Sequence, residues 1–149
     1  MTITLEELKR LVGQELAVTE WLEITQERIN LYADAIDDHQ WIHVDPERAR
    51  RESPYGATIA HGFLTLSLLP KIVSDAIQLS DLRMAVNYGS NRVRFPAAVR
   101  AGSRIRARIV LQSTRDVEGA TDATYAVTIE NEGSEKPCCV AEWLARYYK

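Results

Sequence analysis

The sequence has little of what a disulfide-bonded, metal-binding or nucleic-acid-binding protein uses. Its only two cysteines, Cys138 and Cys139, are adjacent, so in a strand they point to opposite faces and can neither bridge each other nor form a metal-binding pair. We expect one to fill the core and the other to be partly exposed. The 18 Lys and Arg residues do not outnumber the 21 Asp and Glu residues, and no basic stripe is present. This balance argues against nucleic acid as a partner.

Long hydrophobic runs are missing as well. The longest, IAHGFLTLSLLP at 59–70, is too short to span a bilayer. The N-terminal segment MTITLEELKR lacks the basic stretch and following apolar run of a secretory signal. The 149 residues contain no internal repeat, linker or low-complexity tract, and their number suits one domain. We therefore expect residues 1–149 to form a single soluble, cytoplasmic domain without a membrane partner.

Two helices are predicted before residue 53. In ITQERINLYADAID, apolar side chains recur at the i, i+3, i+4, i+7 spacing of an amphipathic helix: Ile29, Tyr32, Ala33 and Ile36. Thr25 is placed to cap the start of this helix, which should end near Asp37. The segment DPERARRE predicts a second, short helix, with Asp45 as its N-cap and Pro46 at its first position.

The rest of the chain combines one apolar helix with strands. Residues 61–78, HGFLTLSLLPKIVSDAIQ, are apolar on nearly every face for three turns, as expected of a helix surrounded by protein, and Pro70 should kink or break it. After Asp81 the pattern alternates in RIRARIVLQ and TYAVTIE, and PCCVAEWLARYYK and MAVNYGSNRVRFP add two strands, the latter with Gly89 as a bulge. This order predicts an α+β fold in which an antiparallel sheet wraps around a central buried helix.

The segment IDDHQWIHVD at 36–45 holds two of the three histidines among several acids. Its acids can satisfy helix ends, which is our interpretation of Asp45. A metal site on His39 and His43 requires both on one helical face, and the cap at Asp45 makes a helix through 39–43 unfavourable; we expect His39 to be solvated. A nucleophilic serine is weakly signalled, since Ser67 follows His61 without a G-x-S-x-G context.

General acid and base catalysis is the fourth interpretation of the segment. An aspartate and a histidine five residues apart, Asp38 and His43, can hold one water between them. The pair His61-Gly62 begins the apolar helix, so the free N–H groups of the first turn, above all that of Gly62, can stabilise developing negative charge on a carbonyl oxygen.

These residues carry a resemblance to a known family. YADAIDDHQWIHVDPERA, followed by IAHGFLTLSLLP and NYGSNRVRFPAAV, resembles the MaoC-like dehydratases, which include the (R)-specific enoyl-CoA hydratases, and is most similar to the single-domain subgroup with nodulation protein N-like members. The resemblance covers residues 20–148. It implies a hotdog fold, a homodimer and an enzyme of fatty acid metabolism, a hydro-lyase of the enoyl-CoA hydratase 2 type, that adds water reversibly to a trans-2-enoyl-CoA to give the (R)-3-hydroxyacyl-CoA.

The resemblance also implies roles for single residues. Asp38 and His43 correspond to the catalytic pair, Gly62 to the glycine whose N–H contacts the thioester carbonyl, and Ser67 to a positioning serine. The chain departs from the wider pattern G-D-x-N-P-x-H, since it has Asp37 for the glycine and Gln40-Trp41 for Asn-Pro. Gln40 retains the amide of the asparagine in that pattern, but its side chain is longer, so the amide reaches a different position relative to the substrate. Neither metal nor nicotinamide nor flavin is required, and no Gly-rich dinucleotide loop is present.

Two other functions remain compatible with the sequence: an acyl-CoA thioesterase with the same fold, and a non-catalytic acyl-CoA-binding protein. Thioesterases of this fold generally place an acid on the central helix, whereas residues 62–74 contain none.

An open sheet edge and the apolar helix give a physical reason to expect a dimer. Six arginines are candidates for the phosphates of CoA, although the last three have the spacing of a solvated strand face: Arg83, Arg92, Arg94, Arg104, Arg106 and Arg108.

Overall fold

A computed structural model describes residues 1–149. The helices are α1 (Leu5–Lys9), α2 (Gln26–Ile36), α3 (Trp41–Val44), α4 (Pro46–Glu52), α5 (Gly62–Ser67) and α6 (Leu69–Ala76). The strands are β1 (Thr2–Ile3), β2 (Glu15–Val18), β3 (Leu22–Glu23), β4 (Gln78–Leu79), β5 (Met84–Arg94), β6 (Arg104–Val117), β7 (Ala120–Asn131) and β8 (Cys139–Tyr148). No helix is long and apolar enough to cross a membrane.

The main sheet is antiparallel, with strand order β2-β6-β7-β8-β5 and β3 also paired to β6. Along β6, β7 and β8 buried residues alternate with more exposed ones, as the sequence predicts, so one face of the sheet forms the core with α5 and α6. Gly89 lies at a register shift of β5 against β8, which confirms the predicted bulge. The α+β arrangement around a central helix is confirmed.

The central helix is divided as Pro70 suggests. Gly62–Ser67 and Leu69–Ala76 meet at Leu68, and Pro70 occupies the first turn of α6, where its missing N–H costs least. The helix is not enclosed on every side, however. Phe63 is 65% exposed, and Ser67, one turn later, is exposed too, so this face of α5 lies open.

The edge strand β5 is open in the same way. Ten of its eleven residues are exposed, and they include three large apolar side chains, Met84, Val86 and Tyr88. An eleven-residue edge strand with exposed apolar residues is a ready template for pairing with another strand.

Both cysteines are buried, which corrects the expectation that one would be partly exposed. Cys138 precedes β8, and its thiol donates to the carbonyl oxygen of Ile129 at 3.3 Å, while Cys139 is fully buried in the core. Burial raises the pKa of the Cys138 thiol to about 12 and that of Cys139 to about 11.

The outer face of the sheet carries the alternating arginines as ion pairs. Arg104 pairs with Glu132, Arg106 with Glu130 at 2.6 Å, and Arg108 with Glu15 at 2.8 Å. These three arginines are occupied by carboxylates, in agreement with a solvated strand face rather than a phosphate site.

Candidate active site

The end of α2 sets the position of Asp38. Thr25 caps the start of this helix, as predicted, and Asp37 ends it in the left-handed conformation at φ 57°. Asp37 is the one non-glycine residue of the chain with positive φ. Aspartate tolerates this conformation better than most residues, which explains how Asp37 can stand where the pattern G-D-x-N-P-x-H has glycine. The turn lets the Asp38 N–H donate to the Ala33 carbonyl at 3.2 Å and leaves its carboxylate half-exposed.

His43 lies on the short helix α3, which the sequence analysis did not anticipate. No helix runs through 39–43, as expected, but Trp41–Val44 make one turn, and Asp45 both ends it and caps α4 by accepting from the Arg48 N–H at 2.9 Å. His39 precedes that turn, is exposed, and pairs with Asp34 at 2.7 Å. The two histidines therefore do not share a helical face.

The His43 ring is buried and fixed by one strong hydrogen bond. It is 7% exposed, and its Nδ1 lies 2.6 Å from the carbonyl oxygen of Ile59. A carbonyl oxygen only accepts, so Nδ1 carries the hydrogen and Nε2 of the neutral ring keeps a lone pair. Burial lowers the pKa of His43, and the neighbouring His61 lowers it further, while the bond to Ile59 and the charge of Asp38 act in the opposite sense. The balance favours a neutral base.

His61 joins this pair, although its sequence position indicated only a helix start and a weak pairing with Ser67. The rings of His43 and His61 stack with centroids 3.7 Å apart and planes inclined by 22°. His61 Nε2 lies 3.0 Å from the Asp38 carbonyl oxygen and 3.8 Å from its carboxylate. Ligand atoms of Asp38, His43 and His61 all lie within 4.8 Å of one another. The signal in the sequence that could have predicted this role is that His61 immediately precedes Gly62 at the start of a buried helix.

The geometry of this trio does not suit a metal ion. Imidazole lone pairs lie in the plane of the ring, so two nearly parallel rings 3.7 Å apart direct their lone pairs alongside each other rather than toward one point about 2 Å away. His61 Nε2 must also carry a hydrogen to bond the Asp38 carbonyl. The cluster is instead suited to holding a water or a hydroxyl group.

Gly62 begins α5 immediately after His61. Its N–H occupies the first helical position, where no intrahelical acceptor exists. A Cβ atom at this position would lie 2.9 Å from the Phe95 ring, so only glycine fits without movement of that ring. A cavity of about 220 Å³, lined mainly by apolar residues, adjoins Gly62 and Phe95. A larger cleft of about 470 Å³ lies beside Trp21 and Lys71 and contains no histidine.

The side chains of the remaining predicted residues, Gln40 and Ser67, make no hydrogen bond to Asp38, His43 or His61. Gln40 is exposed at the start of α3, and its backbone N–H donates to the Asp38 carboxylate at 3.3 Å. The Ser67 hydroxyl donates to the Leu64 carbonyl of its own helix at 2.8 Å.

Comparison with known proteins agrees with the motifs and the fold. Residues 7–132 match the MaoC like domain. The chain is 50% identical over 142 residues to the 3-hydroxyacyl-thioester dehydratase Z of Mycobacterium tuberculosis, covering 95% of this chain and 93% of the relative. It is 48% identical over 145 residues to nodulation protein N of Rhizobium meliloti, covering 96% and 90% respectively.

Among solved structures, the MaoC-like dehydratase from Rhodospirillum rubrum matches with a TM-score of 0.76 at 18% identity, covering 98% of this chain and 97% of that one. This likeness confirms the predicted hotdog fold. The family model covers most of the sequence, and each of the two relatives aligns with almost the whole length of this chain. The chain therefore belongs to the MaoC-like dehydratase family.

Proposed function

We propose that the protein is an (R)-specific enoyl-CoA hydratase, which adds water reversibly to a trans-2-enoyl-CoA. The observation that carries the proposal is the arrangement of Asp38 and His43 beside the first N–H of α5. The hydro-lyase class predicted from the sequence agrees with the family and with the name of the mycobacterial relative. We further propose that residues 1–149 act as one catalytic domain of a cytoplasmic homodimer.

His43 is the proposed general base. Its Nδ1–H is committed to the Ile59 carbonyl, so its free Nε2 accepts a proton from the attacking water. The Asp38 carboxylate is the nearby negative charge that stabilises the imidazolium formed in this step. Burial keeps the ring neutral before reaction, since it lowers the pKa of His43.

The addition then proceeds at the enoyl thioester. The thioester carbonyl accepts a hydrogen bond from the Gly62 N–H, which makes C3 electrophilic. The water oxygen bonds to C3 as its proton moves to His43, and the electrons of the C2–C3 double bond shift to give an enolate whose oxygen the Gly62 N–H stabilises. The Asp38–His43 pair returns a proton to C2, which completes the addition of one water. Ser67, on the open face of α5, and the Gln40 amide are proposed to position the thioester.

The test is the absorbance of the enoyl-thioester band after the protein is mixed with crotonyl-CoA and longer enoyl-CoAs, with the product assayed by an (R)-specific 3-hydroxyacyl-CoA dehydrogenase. Asp38→Asn and His43→Gln should each lower kcat by about 100- to 10,000-fold while the fold is retained. Asp34→Asn is the matched control, because Asp34 is an exposed acid of α2 that pairs only with His39. Near-normal turnover in either site variant would exclude this mechanism.

Thioester hydrolysis is less well supported. The only acid near the end of the central helix is Asp75, which is exposed and paired with Lys71. Free CoA released from a saturated acyl-CoA would favour the thioesterase. Enoyl-CoA that binds tightly but stays unchanged across all chain lengths would favour a non-catalytic acyl-CoA-binding protein.

The homodimer is proposed to form through β5 and the open face of α5. The exposed apolar residues of β5 and the 65% exposed Phe63 are the surfaces that a second copy would cover. Val86→Asp should therefore lower the mass measured by light scattering from two chains to one. Val12→Asp is the control, since Val12 is similarly exposed but belongs to the turn between α1 and β2 rather than to either element. A wild-type mass of one chain would contradict the proposal.

A further inference from the structure

We propose that His61 is a positioning residue for the hydration reaction, and this inference depends on the proposed function. Its side chain is 4% exposed, and its contacts involve the two residues assigned to the chemistry and the ring of Tyr32. One side chain thus contacts both members of the catalytic pair, of which Asp38 follows α2 and His43 lies on α3.

The contact with His43 fixes the plane of the catalytic ring. The bond from Nδ1 to the Ile59 carbonyl holds one atom of that ring, but a single hydrogen bond leaves rotation about its own axis. The face-to-face contact with His61, at 3.7 Å between centroids, blocks that rotation. The direction of the His43 Nε2 lone pair is then determined.

The contact with Asp38 fixes the other member. The Asp38 N–H is bound to Ala33, and its carbonyl oxygen accepts from His61 Nε2 at 3.0 Å, so the main chain is held on both sides of the Cα atom. The carboxylate lies 3.8 Å from the same nitrogen. His61 therefore sets the separation between the carboxylate and the base.

His61 is not placed for stability alone. Its Nδ1 is buried without a hydrogen-bond partner, which costs stability relative to an apolar ring of the same shape. It is the N-cap residue of α5, yet its side chain makes no cap hydrogen bond. Replacement of His61 should consequently leave the helix start and the Gly62 N–H in place.

Three variants separate the two contacts. His61→Phe retains a ring to stack on His43 but loses the donor to Asp38, His61→Gln retains an N–H for that carbonyl but loses the stack, and His61→Ala loses both. A displacement of about 1 Å costs about 100-fold in rate, so kcat should fall about 100-fold in His61→Ala and less in the other two. KM should change little, and His61→Phe should melt close to the wild-type temperature.

The titration of His43 gives a readout that does not require turnover. The titratable groups that contact or adjoin His61 are Asp38, His43 and Tyr32. Burial and the neighbouring His61 both lower the pKa of His43, so removal of the His61 ring should raise it. In ¹H–¹⁵N spectra of the imidazoles, the His43 titration should move to higher pH in His61→Ala and its Nδ1–H tautomer should become less populated.

Ile129→Ala is the control for simple destabilisation, since Ile129 is fully buried in β7 and lies in the sheet. It should lower Tm without moving the His43 titration. An unmoved His43 titration in His61→Ala overturns the proposal, and so does a kcat within two-fold of wild type. If the wild-type protein hydrates no enoyl thioester, the proposed function fails, while the titration and tautomer of His43 still decide whether His61 positions that ring.

Discussion

The two buried tyrosines of the sheet allow a quantitative test of how the core beneath the central helix is held. The hydroxyl oxygens of Tyr125 on β7 and Tyr147 on β8 are 2.7 Å apart, and Tyr125 is fully buried while Tyr147 is 6% exposed. Between them Ala123 faces Ala145 across the strands, and these small side chains leave room for the two phenols to meet. Burial raises the pKa of both tyrosines, so the hydroxyl pair is neutral.

Removal of one hydroxyl should cost more than removal of both. Tyr125→Phe leaves the Tyr147 hydroxyl buried without a partner, and the reverse holds for Tyr147→Phe; a stranded buried hydroxyl costs about 1–3 kcal/mol. The double variant strands neither group and should lie near wild type. Because the double variant loses almost nothing, the coupling energy from this double-mutant cycle should equal the sum of the two single losses, about 2–6 kcal/mol in magnitude.

The assay is equilibrium unfolding in urea, followed by tryptophan fluorescence at one fixed protein concentration, because association with a second copy would shift apparent stability. Trp143 stacks on Tyr125 with ring centroids 5.6 Å apart and so reports on this part of the core. Each single variant should also lower Tm by about 2–4 °C per kcal/mol. A double variant that loses as much stability as the two single variants combined would refute the reasoning.

Three further predictions concern the site and its supports. Burial lowers the pKa of His43 below the ordinary histidine value of 6.5, and neutral His43 is the proposed base. The hydration rate should therefore fall as the pH drops through a value below 6.5. An acid limb at or above pH 6.5 in the profile of kcat/KM against pH would contradict this prediction. Gly62→Ala should raise KM for enoyl-CoA, because the added Cβ would lie 2.9 Å from the Phe95 ring and displace it. The loss of Tm should be small, because that ring is half-exposed and can move. Unchanged kinetics would show that the ring does not adjoin the substrate. Asp45→Ala should cost about 1 kcal/mol by removing the cap of α4, whereas Asp34→Asn should leave Tm unchanged in the same scan.

Local signals account for the parts of the fold that the sequence predicts. The bounds of α2 and α4 follow from side-chain spacing and from caps at Thr25 and Asp45, all of which act within a few residues. The two-residue strands β1 and β4 could not be predicted, because they exist only through pairing across 76 residues, Thr2 with Gln78. Such short segments carry no periodicity of their own.

The candidate site likewise has one part that local sequence predicts and one part that it does not. The pair Asp38 and His43 can be predicted from the sequence because its members lie five positions apart in a recognisable motif. His61 comes 18 residues after His43, and only the fold of the segment between α4 and α5, with the Ile59 amide bound to the Ile42 carbonyl, stacks one ring on the other. Long-range contact of this kind leaves no mark on local sequence spacing.

The buried thiols allow local opening of the sheet to be followed by chemical modification. With the pKa of Cys138 near 12 and that of Cys139 near 11, almost no thiolate exists at neutral pH; Cys139 is fully buried in the closed fold, whereas Cys138 lines the cavity beside Gly62. Alkylation of Cys139, which lies on β8, must therefore wait until that strand separates from its neighbours. Because β8 lies directly beside the edge strand β5, the rate of Cys139 modification would measure how often that edge separates, without any introduced label.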